Sequence, residues 1–411
     1  MKMDEKQKLA VLEKLVSFKS VNGHEYPVAV YLQSLLKQAG ITSKIISLGN
    51  DRANLVAEIG SGKPVLGVVG HMDVVDVELD NWKTDPFKLT AKGDKLYGRG
   101  TTDMKGGLAA MVIAMMDLKE KKVPLNGTIR LLVTAGEEIG LPGSKKFYKD
   151  GYMKDVDTLI VGEPSGFRAP YASKGALNIY VKSVGKAAHS SMPKLGNNAV
   201  EHLINVLNKI KEKITSVMAE RHNKDLGDTV FNIDAFHGGK QPNAIPGYAE
   251  AIVNVRTIPE FSNKEILQDV SDIIDDYNAH TNGHISYSVD NDIIPIVGDA
   301  NSKILKLVQK LGAPYAKKYY ASQNYSADEL AEMKKAADLS GLKFATDKIL
   351  PMGISGATDA SELLIDHPVG CNYVMFGPGN DNEHGNNEYL SKTMYLEFID
   401  LYEELFTKFF A

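Results

Sequence analysis

Hydrophobic residues recur at helical spacing in Glu5–Phe18 and Tyr26–Ala39, so each stretch reads as an amphipathic helix. A different pattern follows. PVLGVVG (Pro64–Gly70) is short, Val-rich and bounded by glycines, the mark of a strand buried on both faces. Thr128–Thr134 and Thr158–Val161 repeat it, and ahead of them Gly106–Lys119 (GGLAAMVIAMMDLK) is apolar nearly all round and long enough for a buried helix. Helices set between buried strands predict an α/β layer with a mostly parallel sheet flanked by helices.

From about Ser173 the pattern changes. Leu177–Val184, Val230–Phe236, Glu250–Thr257 and Ile285–Val289 alternate apolar and polar residues, and two long amphipathic helices, Asn198–Met218 and Asn263–His280, separate them. That is an α+β pattern, and near Asn291–Pro295 the chain returns to helix–strand alternation. The expected organisation is one domain from residues 1–174 and 291–411, with a smaller α+β domain, 175–290, inserted into it. Residues 312–340 are polar and Tyr-rich and read as an insertion, a loop followed by a helix.

A length of 411 residues exceeds one ordinary core and agrees with two domains. At 43% hydrophobic and 24% charged residues the chain has the profile of a soluble globular protein. No apolar run approaches the ~18 residues a bilayer requires. MKMDEKQKLAVLEKL reads as a charged amphipathic helix rather than a signal peptide. A lone Cys371 excludes an intramolecular disulfide and a cysteine-rich zinc site, and points to a reducing, cytoplasmic setting. The net charge of −5, with no basic stripe carrying interleaved aromatics, argues against nucleic acid as a partner.

Several acids and histidines end apolar runs. His71 and Asp73 follow PVLGVVG as G-H-M-D, and Asp103 lies in the glycine-rich YGRGTTDMKGG. Glu137 and Glu138 follow RLLVTAG, Glu163 follows TLIVG, and His384 lies in FGPGNDNEHGNNE after the apolar Tyr373–Phe376. Any one of these is more readily a cap or a structural residue; Asp103 alone could cap the helix after it. Their coincidence at four strand ends is what suggests a metal centre, because ligands of open α/β sheets gather at the carboxyl ends of the strands. Imidazoles and carboxylates without thiolates suit zinc or another borderline divalent ion. One zinc takes about four ligands, so six donors suggest two ions ~3.5–4 Å apart sharing a carboxylate. One of the adjacent Glu137 and Glu138 would then bind metal and the other accept a proton from the attacking water. Three look-alikes fail. GSGKP has Ala57 and Pro64 where a P-loop needs Gly and Ser/Thr, GRGTTD has Asp103 in place of the third glycine of a dinucleotide fingerprint, and GISGA ends in Ala357 instead of Gly.

GHMDVV, YGRGTTDMKGG, TAGEEIG, VGEPS, GKAAHSSMP, NAIPGYAEAIVNVR and FGPGNDNEHGNNE, in this order and over nearly the whole chain, resemble the M20 metallopeptidase and deacylase family. The resemblance implies a di-zinc catalytic domain split in sequence and an inserted lid domain that commonly dimerises, hence a homodimer. It implies that Asp103 bridges two Zn2+ (Co2+ or Mn2+ as alternatives), with His71 and Glu163 on one ion and Glu138 and His384 on the other. Asp73 would orient His71, and Glu137 would be the general base. On the substrate side it implies that His189 polarises the scissile carbonyl, often from the partner subunit, and that Arg256 grips a substrate carboxylate. Asn243, Gly356 and Ala357 match further substrate contacts, and Lys174 is either an anion contact or a surface lysine near the domain junction. The expected substrate is an N-acyl amino acid, N-succinyl-diaminopimelate first, with acetylornithine, a peptide carboxyl end or a dipeptide as alternatives. Glu163 disfavours the dipeptide, since di- and tripeptidases of the family carry Asp there. A non-catalytic ligand-binding homologue would have lost the base or ligands, and here Glu137 and all five inferred ligands are present.

Overall fold

A computed structural model describes residues 3–411, so Met1 and Lys2 of the expected N-terminal segment lie outside the described residues. The chain divides into two compact units. One comprises residues up to Tyr171, Gly298–Gly353 and Thr358–Ala411; the other comprises Ala172–Val297 and Ile354–Ala357.

The first unit is a mixed α/β layer. Among the described residues its largest sheet runs in the order Ser43–Gly49, Arg52–Gly60, Thr128–Thr134, Val65–His71, Thr158–Pro164, Tyr373–Gly377. The last four are mutually parallel, with His71 opposite Thr134, Val69 opposite Val161 and Met375 opposite Val161. That register brings the carboxyl ends of four strands to one edge. The central strand Val65–His71 is buried at every position, as its unbroken apolar run requires. Leu132 beside it is fully buried, and its truncation to Ala is expected to cost about 2–5 kcal/mol.

The helix Lys105–Glu120 is buried from Lys105 to Leu118 and touches the sheet closely. A Cβ added at Gly107 would stand 2.0 Å from the carbonyl oxygen of Gly162, so only glycine lets this helix meet the strand that ends in Glu163–Pro164. The hairpin Ser43–Gly49/Arg52–Gly60, which the hydrophobic pattern did not predict, adds two antiparallel strands. Its turn residues Asn50 and Asp51 both take positive φ (48° and 63°), the signature of a tight two-residue hairpin turn.

Residues 312–340 also differ from expectation. The helix Lys303–Ser322 contains Pro314 in its interior, and a second helix, Ala327–Leu339, follows with a Ser326/Glu329 capping box. An interior proline costs a helix about 3 kcal/mol. Burial of Ala316 and of Tyr319, whose ring lies 5.5 Å from that of Phe167, offsets this. The two helices border a cavity of about 540 Å³ whose lining includes Arg168 and Asp381 but none of the five expected metal ligands.

The second unit has a four-stranded antiparallel sheet in the order Val230–Gly238, Tyr248–Thr257, Gly175–Val184, His284–Ile293. Tyr248–Thr257 alternates buried and part-exposed residues along its length. Two helices pack on the strands: Ala199–Met218, capped by Asn198, and Asn263–His280, opened by a Ser262/Glu265 capping box. Among the described residues no helix is long and apolar enough to cross a membrane.

Candidate metal centre

The strand edge of the first unit collects the residues singled out above. His71 ends one strand, Glu163 lies near the end of the next, and Glu137 and Glu138 sit in a short turn after Thr134. That turn begins at Gly136. Its φ of 78° is in the left-handed region that favours glycine, and a Cβ at this position would stand 2.7 Å from Cγ of Pro142. Asp103 precedes the buried helix, and His384 lies in the loop after Tyr373–Gly377 with φ 59°.

Asp103 stands between two groups. Its Oδ1 is 3.0 Å from His71 Nε2, and its Oδ2 is 3.2 Å from His384 Nε2. Glu163 Oε1 lies 3.5 Å from His71 Nε2, and the Glu138 oxygens lie 3.1 and 3.0 Å from His384 Nε2. Donor atoms of His71, Asp103 and Glu163 all fall within 4.8 Å of one another, as do those of Asp103, Glu138 and His384. A third set, His71, Glu137 and Glu138, meets the same limit.

A divalent cation fits these residues on two counts. Metal–ligand bonds of about 2.0–2.2 Å in tetrahedral geometry put neighbouring donors about 3.3–3.6 Å apart, close to the separations present. Moreover, buried Glu163 Oε1 has no hydrogen-bond partner among the described residues, a costly state for a carboxylate unless a cation meets it.

The electrostatics are those of acids crowded around two imidazoles. Burial opposes charge on His71, but Glu163, Asp103 and Asp73 outweigh it and hold its pKa well above the usual value. Hydrogen bonds with Asp103 and Glu138 lift His384 to about 10. Burial would raise Asp103, yet its bonds to His384 and His71 pull it well below the carboxylate range. Burial, then the charge of Glu163, raises Glu137 strongly; burial likewise raises Glu163 and Glu138.

Asp73 differs from the expectation that its carboxylate orients His71. His71 Nδ1 pairs instead with the Asp73 backbone carbonyl at 2.9 Å, while the nearer carboxylate oxygen is 3.6 Å away. The carboxylate accepts the N–H groups of Gly136 (2.7 Å), Glu137 (3.2 Å) and Glu138 (3.1 Å). Three backbone donors converging on one buried carboxylate hold the turn that presents both glutamates.

Three residues beside the cluster carry no role predicted from the sequence. Glu388, fully buried, accepts from Arg99 Nη1 (2.8 Å) and from the N–H groups of Gly100 (3.0 Å), Thr102 (2.7 Å) and Asp103 (3.1 Å). Asn387 accepts from Lys83 N (2.7 Å) and donates to the Asn81 carbonyl (3.1 Å). Asp359, also buried, accepts from Thr134 (2.6 Å) and from Ser144. Glu388 and Asn387 lie within the HGNNE stretch of the last motif, so a signal was present; no local pattern marks Asp359.

The expected substrate contacts lie in the second unit. His189 and Asn243 are neighbours: Ala188–His189 pairs with Ala244–Ile245, and Ser190 N donates to the Asn243 carbonyl (3.0 Å). His189 Nδ1 faces the Ser191 hydroxyl at 2.8 Å, which leaves Nε2 for a ligand. Arg256 is half-buried on Tyr248–Thr257 and has no ion pair or hydrogen bond from its guanidinium to any described residue. Gly356 is exposed, and a Cβ there would meet nothing within 4 Å; Ala357 is part-exposed beside it. Lys174 departs from one of its two expected readings. It is buried and its ammonium donates to the Asp228 carbonyl, so it ties two segments of its own unit together and is not a surface lysine.

Comparison with known proteins agrees with the motifs. The family model for Peptidase family M20/M25/M40 matches residues 67–408. A Staphylococcus aureus (strain MRSA252) protein named "Probable succinyl-diaminopimelate desuccinylase" is 38% identical over 424 positions, covering 97% of each chain. Among solved structures, an M20 family metallo-carboxypeptidase from Sulfolobus solfataricus has a TM-score of 0.76 at 20% identity, covering 98% of this chain and 99% of that one. A Staphylococcus aureus tripeptidase has a TM-score of 0.73 at 22% identity, covering 99% of each. At those identities the structural likeness establishes a shared fold.

Proposed function

The chain belongs to peptidase family M20/M25/M40 and is a metal-dependent amide hydrolase; from that premise we propose that it removes the acyl group of an N-acyl amino acid, N-succinyl-diaminopimelate in particular. The family sets the class, an acylated amino acid or a peptide. The name of the 38%-identical relative supports the succinyl substrate. The observation that carries the reading is Asp103, whose two oxygens face two separate histidine–glutamate pairs, His71 with Glu163 and His384 with Glu138.

His71, Glu163 and one oxygen of Asp103 would hold one divalent cation; Glu138, His384 and the other oxygen would hold a second. Zinc is the first expectation, with cobalt or manganese as alternatives. Bound there, the ions supply Lewis acidity to the acyl carbonyl and lower the pKa of water from about 15.7 towards about 7.

The chain's own residues supply the rest. Glu137 stands within 4.8 Å of its neighbours' donor atoms, and among the described residues its carboxylate accepts no hydrogen bond. It receives the proton that the attacking water gives up and returns it to the leaving amine nitrogen, a role worth roughly 10²–10⁴ in rate. The C–N bond breaks, water's oxygen ends in the new carboxyl group, and the second proton of that water passes from it to the amine, so the products are a carboxylate and an ammonium. His189 donates through Nε2 to the developing oxyanion. Arg256, unpaired within its own unit, offers a bidentate fork to a substrate carboxylate. Asn243, Gly356 and Ala357 line the substrate. The inserted unit acts as lid and pairs with a second copy. Its edge strand supports this: Val230, Ile233 and Phe236 are 39%, 40% and 40% exposed.

N-succinyl-diaminopimelate, acetylornithine and a dipeptide panel, assayed side by side before and after chelation, test the proposal. Chelator-sensitive hydrolysis led by the succinyl substrate is expected. Preference for a dipeptide would reject the substrate, and chelator-resistant turnover would reject the metal centre.

A further inference from the structure

We infer that the buried Arg99–Glu388 ion pair is a positioning device that governs how tightly the cation held by Asp103, Glu138 and His384 binds, an inference that rests on the two-ion reading above.

The two residues come from distant motifs. Arg99 lies four residues before Asp103, and Glu388 four residues after His384. Pairing of Lys95–Tyr97 with Tyr389–Ser391 sets them side by side, extended by a bond from Gly98 N to the Glu388 carbonyl at 3.0 Å. Glu388 then closes over the turn that carries Asp103. Its Oε2 takes Arg99 Nη1 and Gly100 N, and its Oε1 takes Thr102 N and Asp103 N. Arg99 Nη2 reaches on to the carbonyls of Asp76 (3.3 Å) and His384 (3.4 Å). One ion pair thus spans the backbone of two ligand-bearing segments.

The two proposed ions depend on this clamp unequally. Asp103 would serve both ions, so both feel the clamp through its turn, but His71 and Glu163 sit on strands buried in the sheet and keep anchors of their own. His384 is on a loop, its side chain 53% exposed, with a left-handed backbone that a non-glycine residue adopts at a cost. Asn387, also left-handed at φ 60°, anchors the far side of that loop to residues 81 and 83. Packing does not hold His384 in place; these polar ties do.

The isosteric Gln is not a conservative replacement at position 388. Four donors meet two oxygens, so a Gln NH2 in place of either oxygen would face two donors. Arg99→Lys keeps the charge but cannot reach Glu388, Asp76 and His384 together.

The test is a Zn2+ titration of metal-free wild type, Glu388→Gln and Arg99→Lys by calorimetry, with metal content measured after dialysis and circular dichroism as a check of folding. A His384→Ala variant titrated alongside identifies the site that includes His384; the Glu388 and Arg99 variants are expected to weaken that site by roughly 10–100-fold and the other markedly less. A residue that merely supports the fold would lower both affinities by the same factor, and that result in the two variants would overturn the inference. So would two wild-type affinities in both variants. Wild-type protein that takes up only one ion would overturn it together with the two-ion reading. Two ions in the wild type without deacylation would leave the clamp in place and reject only the substrate.

Discussion

Replacing Asp73 by Asn separates the two jobs open to its carboxylate. In the structure Oδ1 accepts the N–H groups of Gly136 and Glu137, and Oδ2 accepts that of Glu138. Asparagine has the same size but one acceptor oxygen. If that oxygen stays on Gly136 and Glu137, the NH2 group faces Glu138 N–H, donor against donor. One hydrogen bond to a charged group, about 1.5–3 kcal/mol, is lost, and the two that remain fall to the neutral range of about 0.5–1.5 kcal/mol each. With the side chain fully buried and no water to compensate, a net loss of about 3–5 kcal/mol is expected. Guanidinium unfolding of the metal-free proteins reads this as a lower midpoint at an unchanged slope. Zn2+ titration should show the site containing Glu138 weakened, because its turn has lost an anchor. A loss under about 1 kcal/mol with normal metal binding would show that the turn holds itself. Weakening confined to the ion on His71 would return Asp73 to the orienting role implied by the family resemblance.

Glu137→Ala should retain two metals by elemental analysis and lose roughly 10²–10⁴ in kcat; a metal-free variant would mean that base and ligand are exchanged. His189→Ala should lower kcat without changing metal content, and an unchanged kcat would remove it from the reaction. Arg256→Ala should lower kcat/KM by roughly 10–100-fold on carboxylate-bearing substrates, the worth of a charged hydrogen bond. An equal loss on a substrate amidated at that carboxylate would reject the contact. Hydrogen bonds with Asp103 and Glu138 lift His384 to about 10, which favours its protonated form at neutral pH, and the acids around His71 shift it in the same direction. A cation needs them neutral, so Zn2+ should expel protons in weakly buffered solution and bind more weakly as pH falls. The raised His384 pKa stabilises the metal-free fold fully below the ordinary imidazole value of 6.5, and that contribution is lost as pH rises through about 10. Metal uptake without proton release would contradict the protonated cluster.

Much of the molecule is local enough to be read from the chain. Periodicity alone locates Thr128–Thr134 and Asn263–His280 at their observed limits, since a strand or helix face is set by which neighbours must be buried. Strand-end acids and histidines were legible for the same reason: a parallel sheet puts the ends of its strands on one edge, so His71, Glu138 and Glu163 could be expected to meet. The hairpin Ser43–Gly60 carried a turn signal in Asn50–Asp51 but no clean alternation. The helix through Pro314 ran against local propensity, and only tertiary burial of Tyr319 and Ala316 reversed it.

The order of elements, the edge on which the chemistry gathers and the kind of ligands it offers are therefore written in the linear chain. The partners of each polar group are not; folding chose them. It brought the Asp73 carboxylate to a turn more than 60 residues away, Lys174 to the Asp228 carbonyl 54 residues on, and Glu388 to Arg99 across 289 residues. Hydrophobic burial is nearly non-directional and leaves its mark in local spacing, whereas a buried hydrogen bond depends on position to a fraction of an ångström. That position exists only once the chain has closed on itself.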